Sequence, residues 1–222
     1  MATSLDNIRS EIDALDAELR ARLLRRAELV ANVAAAKADN GETAPLRPLR
    51  EIQQLRALIA WQKSNAPMLE SAGLIAIWRE IIGMALAQQG GLTICASPNA
   101  MPQARAHFGA SLAYEAGAPK LDNLLENPRL VAVMTLDEAI APPEGVGVFA
   151  RLPLIGTPAA LCYGKLAASD ENDAGAVNLV RRAEAKSGER LIFKGQDDAL
   201  VETDEPGDDP IWGRYLTLEA EA

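Results

Sequence analysis

Apolar residues fall at helical spacing through the first ninety positions and lose that spacing after Gly91. Leu5, Ile8, Ile12, Leu15, Leu19 and Leu23 recur every three or four residues, and Val30 and Val33 carry the stripe to Lys37 before Asp39-Asn40-Gly41 stops it. With Ser4 or Asp6 as its cap, this pattern predicts one helix of more than thirty residues. A helix so long needs a partner along its length, and a coiled-coil-like or dimeric bundle is the expected solution. A second helix is predicted from Pro48 through Leu49, Ile52, Leu55, Leu58 and Ile59 to about residue 64, with the proline in its first turn. A third, over 68–89, carries Leu74, Ile75, Ile77, Trp78, Ile81, Ile82, Ala85 and Leu86, and Gly90-Gly91 closes it. Three helices with short links, one of them double length, make half a bundle that a second copy would complete.

Beyond residue 91 the texture is shorter and more interrupted. Strands are predicted at 92–96, 129–134, 146–149, 161–164 and 190–193, a turn at 97–100, helices at 101–108 and 174–186, an acidic loop over 202–210 and a last strand at 215–218. The expected fold class is therefore mixed: an all-α domain over 1–90, followed by an α/β or α+β domain over 91–222.

Composition sharpens this picture. Residues 1–90 balance eleven basic against eleven acidic side chains, whereas 91–222 carry eleven against twenty, so the whole net charge of −9 lies in the second part. That balance argues against nucleic acid and against an anionic membrane surface as partners, and no apolar run reaches spanning length. Cys95 and Cys162 are too few for a disulfide framework or a zinc site; both read as small buried residues in a reducing compartment. With no apolar leader at the N-terminus, a cytoplasmic protein is the expectation. His107, the sole histidine, lacks a nucleophile partner signature, and Asp197-Asp198 and Asp208-Asp209 lack calcium-loop spacing, so no metal site is expected.

Candidate chemistry concentrates in the long helix. Eleven steps of about 100° return nearly to one face, so Arg26, Val30, Val33 and Lys37 form a stripe with a cation at each end, roughly 16 Å apart. Two such side chains leaning over an apolar floor frame a space for a small dianion. On the second helix Arg47, Arg50, Glu51 and Gln54 share a face. Arg9 lies roughly 25 Å before Arg26 and turned about 100° aside, so an antiparallel partner helix is needed to deliver it to the same pocket.

The segments LDNIRSEIDALDAELRARLLRRAELVANVAAAK, RPLREIQQL and IWREIIGMALAQQ, in that order over residues 4–89, resemble the all-helical class of chorismate mutase, especially the N-terminal domain of bifunctional chorismate mutase/prephenate dehydratases. The resemblance implies an intertwined homodimer with two active sites, chorismate as substrate, prephenate as product and no cofactor. It implies catalytic roles for Arg26, Lys37, Glu51 and Gln89, and substrate contacts from Arg50 and from Arg9 supplied in trans by the partner. The chemistry suits these residue types. The rearrangement is intramolecular and needs no nucleophile, so its catalysis comes from holding a dianion in a chair and stabilising charge on the breaking ether oxygen. Arginine forks onto carboxylates and stays charged. Two departures stand out. Arg47 occupies the place of an aspartate in many relatives and faces either substrate or solvent, and Ala85 replaces a small hydroxyl residue at the substrate-binding surface.

In the bifunctional relatives a dehydratase domain and a phenylalanine-binding ACT domain follow. LTICASPNAMPQARAHFG is similar to the opening of such a dehydratase, and ARLPLIG stands where a Thr-Arg-Phe motif is expected, with Ala150 in place of the threonine. A degenerate dehydratase-like domain without dehydratase activity is the expectation, with Arg151 in a structural ion pair or on a carboxylate, and 161–193 as a remnant ACT-like strand-helix-strand. Two other functions share this pattern: an isochorismate pyruvate lyase, and a non-catalytic binder or regulator that senses a chorismate-type ligand.

Overall fold

The computed structural model describes residues 4–39, 46–165 and 175–218. Packing divides the chain into two compact units, Met1–Thr43 and Ala44–Ala222. The described residues of the first unit form one helix, α1 (Leu5–Asp39). Ser4 caps it: its hydroxyl oxygen accepts the Asn7 backbone N–H at 3.2 Å. The apolar stripe read from the sequence is exposed on this helix, with Leu5 and Leu19 each 61 % accessible.

The second unit begins with α2 (Pro48–Asn65) and α3 (Ser71–Gln88). The third helix starts at Ser71 rather than at 68, because 67–69 form a turn in which the Leu69 N–H bonds the Ala66 carbonyl. Gly90 and Gly91 follow with φ of 100° and 72°, a left-handed pair that ends the helix. Then come β1 (Thr93–Ala96), α4 (Met101–Phe108), β2 (Ala113–Ala116), α5 (Asn123–Glu126) and β3 (Leu130–Thr135). The rest is strand: β4 (Val146–Leu152), β5 (Ala160–Lys165), β6 (Val177–Arg182), β7 (Arg190–Lys194), β8 (Ala199–Thr203) and β9 (Ile211–Tyr215). These strands form one sheet in the order β2-β1-β3-β5-β4-β9-β6-β8-β7. β1 runs parallel to both β2 and β3, β4 parallel to β9, and the remaining pairs are antiparallel.

The period of two along each central strand assigns side chains to two cores. Val131 and Val133 of β3 and Cys162 of β5 join the helix side, where Leu55 of α2, Ile82 and Leu86 of α3 and Phe108 of α4 complete one cluster. Ala132, Met134, Leu161 and Tyr163 face the opposite side with Leu179 and Trp212. Covered on both faces, β3 and β5 read as continuous apolar runs. By packing, then, α2 and α3 share a core with the sheet, and the change of texture at residue 90 is a change of secondary structure inside the second unit. Gly83 of α3 lies against the Phe108 carbonyl of α4 with no room for a Cβ, which sets how closely those helices cross.

Four expectations of the sequence are corrected. The helix predicted over 174–186 is replaced by strand β6 at 177–182; Leu179 and Val180 are paired on both sides, by β8 and β9, Val177 is paired by β9, and this pairing overrides the helical spacing. With it goes the strand-helix-strand remnant over 161–193, whose described residues hold strands and turns. The acidic loop begins only after β8, since Glu202 and Thr203 are buried strand residues, and the last strand ends at Tyr215 rather than starting there.

Candidate active site

Arg9, Arg26 and Lys37 all lie on α1, in the first unit. Arg9 is exposed, with the still more exposed Asp6 at 3.7 Å, a pair worth little in water. Arg26 is half-buried, and desolvation lowers its guanidinium pKa from the ordinary value. Lys37 lies in the last turns of the helix; its side chain is outside the described part of the structure.

Arg47, Arg50, Glu51, Ala85 and Gln89 belong to the second unit. Arg47 stands at the N-cap of α2 and Arg50 in its first turn, both exposed. Glu51 points the other way. Its Oε2 accepts a hydrogen bond from Nη1 of Arg79 at 2.7 Å, and both side chains are buried. The four residues that share a helical face in projection are thus split by packing: Glu51 belongs to the buried stripe of Ile52, Leu55 and Leu58, while Arg50 and Gln54 are exposed. Ala85 is buried in the last turns of α3. Gln89 caps that helix; its side-chain Nε2 donates to the Ala85 carbonyl at 3.1 Å, and its own carbonyl accepts from Arg129 Nη1 at 3.1 Å.

Arg79 is the residue that sequence reasoning passed over. Its Nε donates to the His107 carbonyl on α4 while Nη1 holds Glu51 on α2, so one guanidinium on α3 joins three helices. The signal was present: Ile75, Arg79, Ile82 and Leu86 follow one helical face, and a lone cation inside an apolar stripe requires an anion beside it. His107 is buried as well; burial first, and the Arg79 charge second, push its pKa well below the usual histidine range.

In the sheet, Arg151 is a structural residue. Its Nε lies 2.7 Å from Oε1 of the buried Glu202, which also accepts from the Tyr215 hydroxyl at 2.9 Å. Ala150 beside it is buried in the helix-side core. Cys162 is buried and Cys95 half-buried, both as free thiols. Among the described residues no helix is long and apolar enough to cross a membrane.

The chain has no significant match among curated proteins or among solved structures. Its helical portion does match a family: residues 8–90, which contain nearly all of α1 and the whole of α2 and α3, fit the family described as chorismate mutase type II.

Proposed function

We propose that the protein is a chorismate mutase that converts chorismate to prephenate, acting as a homodimer. The observation that carries this reading is the fit of residues 8–90 to the chorismate mutase type II family, over a segment whose basic residues recur at spacings suited to a dianion. Arg26 and, from the partner copy, Arg9 clamp the two carboxylates, with Arg50 in support. Lys37 and Gln89 direct donors to the ether oxygen as its C–O bond lengthens, where fixed hydrogen-bond donors act most strongly. Glu51 accepts the ring hydroxyl's hydrogen bond through Oε1, its Oε2 being held by Arg79. Arg47 is assigned to solvent, and Ala85 contributes shape without a donor. The exposed leucine stripe of α1 supports the dimer, since a helix of 35 residues with such a face is stable only when that face is covered.

The sheet is assigned a structural or regulatory role and no dehydratase activity, because Ala150 offers no hydroxyl and Arg151 is engaged by Glu202. A second reading, a binder of chorismate-type ligands without turnover, draws support from the burial of the Glu51 carboxylate against Arg79.

Chorismate consumption at catalytic protein concentration, with product identification, separates the readings. Prephenate supports the mutase, pyruvate with salicylate from isochorismate supports a lyase, and saturable binding without turnover supports the binder. In the mutase, Arg26→Ala is expected to lower kcat/KM by about a hundredfold or more, roughly 2.7 kcal/mol of transition-state stabilisation. An unchanged rate in that variant refutes the pocket.

A further inference from the structure

One side chain ties the end of α3 to the sheet. Arg129, the residue before β3, donates from Nη1 to the Gln89 carbonyl at 3.1 Å and to the Gly91 carbonyl at 3.3 Å. Those two carbonyls flank Gly90, and the guanidinium fills the space a side chain there would need: a Cβ on Gly90 would stand 2.5 Å from Nη1. The last carbonyls of a helix have no partner within it, and a cation at that end also meets the negative pole of the helix dipole.

The anchor is itself fixed. The Arg129 backbone N–H donates to Asn127 Oδ1 at 3.0 Å, and its carbonyl accepts the Thr93 N–H at 2.9 Å. The next residue, Leu130, is registered against Thr93 in the parallel ladder of β1 and β3. By contrast α3 runs out into two glycines of positive φ, a joint with little stiffness of its own. A strand inside the sheet therefore sets where the end of α3 stands.

The residue held there is Gln89, the C-cap of α3. Its side-chain Nε2 donates one hydrogen to the Ala85 carbonyl at 3.1 Å, which folds the amide back along the helix. The second amide hydrogen is the one that the mutase reading directs at the ether oxygen. A donor aimed at charge that develops in the transition state must be placed closely, and a misplacement of about 1 Å costs about a hundredfold in rate.

We propose that Arg129 is a positioning residue for turnover: by holding the Gln89 carbonyl it aims the Gln89 amide, so that the sheet contributes to the reaction without touching substrate. The proposal rests on the mutase reading of Gln89; the anchoring of the helix end does not. Both contacts of the guanidinium are to neutral carbonyls, so its removal strands no buried carboxylate and the fold is expected to survive.

Arg129→Met in the full-length chain is expected to lower kcat for chorismate about tenfold or more, with KM within about twofold, because the interaction it misaligns is made only in the transition state. The same substitution made in Gln89→Ala is expected to change kcat by less than about twofold, since the amide it would misalign is gone. A residue that merely stabilised the fold would cost the same in both backgrounds. The backbone N–H groups of Gln89, Gly90 and Gly91 report the anchor directly, being bonded to carbonyls in the last turn of α3. Their hydrogen exchange is expected to quicken about tenfold in Arg129→Met while the middle of α3 keeps its rates. Equal losses in both backgrounds, a loss confined to KM, or an unchanged kcat in Arg129→Met overturns the positioning role, and unchanged exchange overturns the anchor. Should Arg129→Met fail to fold, Arg129→Gln, too short to span both carbonyls, replaces it in each measurement. A wild type without turnover, or Gln89→Ala at full rate, refutes the mutase reading of Gln89, and the exchange rates still decide whether Arg129 holds the helix end.

Discussion

Glu51 and Arg79 form a buried ion pair, Oε2 to Nη1 at 2.7 Å, with side chains only 10 % and 2 % exposed. The pair joins α2 to α3, and the same guanidinium binds the α4 carbonyl of His107. Removing one partner leaves the other as an uncompensated buried charge. Arg79→Met is expected to destabilise the fold by about 3–5 kcal/mol, whereas the double variant Glu51→Leu/Arg79→Met recovers much of that loss because no charge is stranded. Urea denaturation of the wild type, both single variants and the double variant measures the coupling. Simple additivity of the two losses contradicts the pair.

Stability should also fall on mild acidification, through His107. Its folded pKa is depressed well below 6.5 by burial and then by the Arg79 charge. The unfolded chain therefore binds a proton that the folded chain does not, and stability rises with pH through that window. It is complete above about pH 6.5 and is lost below it by roughly 1.4 kcal/mol per pH unit for one proton. The lowered carboxylates Glu138 and Glu189 act only below their ordinary value of 4.5, outside this window. Denaturation at pH 5.5, 6.5 and 7.5 should show the slope in the wild type and its loss in His107→Gln; equal slopes remove the assignment.

Gly83 sets two effects against each other. In an open helix, Gly→Ala stabilises by about 1 kcal/mol. Here the added Cβ meets the Phe108 carbonyl, a backbone atom with little room to retreat. Overpacking of that kind costs about 1–3 kcal/mol, so Gly83→Ala is expected to lower the melting temperature. Gly73, on the same helix with nothing within reach of a Cβ, should move the other way. Thermal melts of the two variants check the contrast.

The stripe on α1 makes a prediction about assembly. Ile12 and Leu19 are 51 % and 61 % exposed on a helix with little core of its own. If a second copy covers them, Ile12→Glu/Leu19→Glu should convert a dimer to monomers and abolish mutase turnover together, because Arg9 is then no longer delivered in trans. Sedimentation velocity and the chorismate assay on the same samples test it. A monomeric wild type, or a monomeric variant that keeps its rate, defeats the trans arrangement.

The first four helices were written plainly in the sequence, and so was much of the sheet. The leucine period of α1, the proline that opens α2, the two glycines after α3 and the apolar runs of β1, β3 and β5 are local signals, and local backbone physics honours them. Segment 177–182 was misleading because its strand character comes from β8 and β9, which are distant in sequence and absent from any local pattern.

Sequence alone determined where cations and carboxylates recur along the helices of 1–90, since residue type and a period of 3.6 suffice to place a charge on a face. Which way a face turns is a different question. Only packing decided that Glu51 goes inward to Arg79 while its neighbour Arg50 remains in water, that Arg151 is spent on Glu202, and that α2 and α3 lean on a sheet. The physical reason is that burying a charge demands a counter-charge within hydrogen-bond reach, and that partner comes from wherever the folded chain returns: 28 residues away for Glu51 and 51 for Arg151.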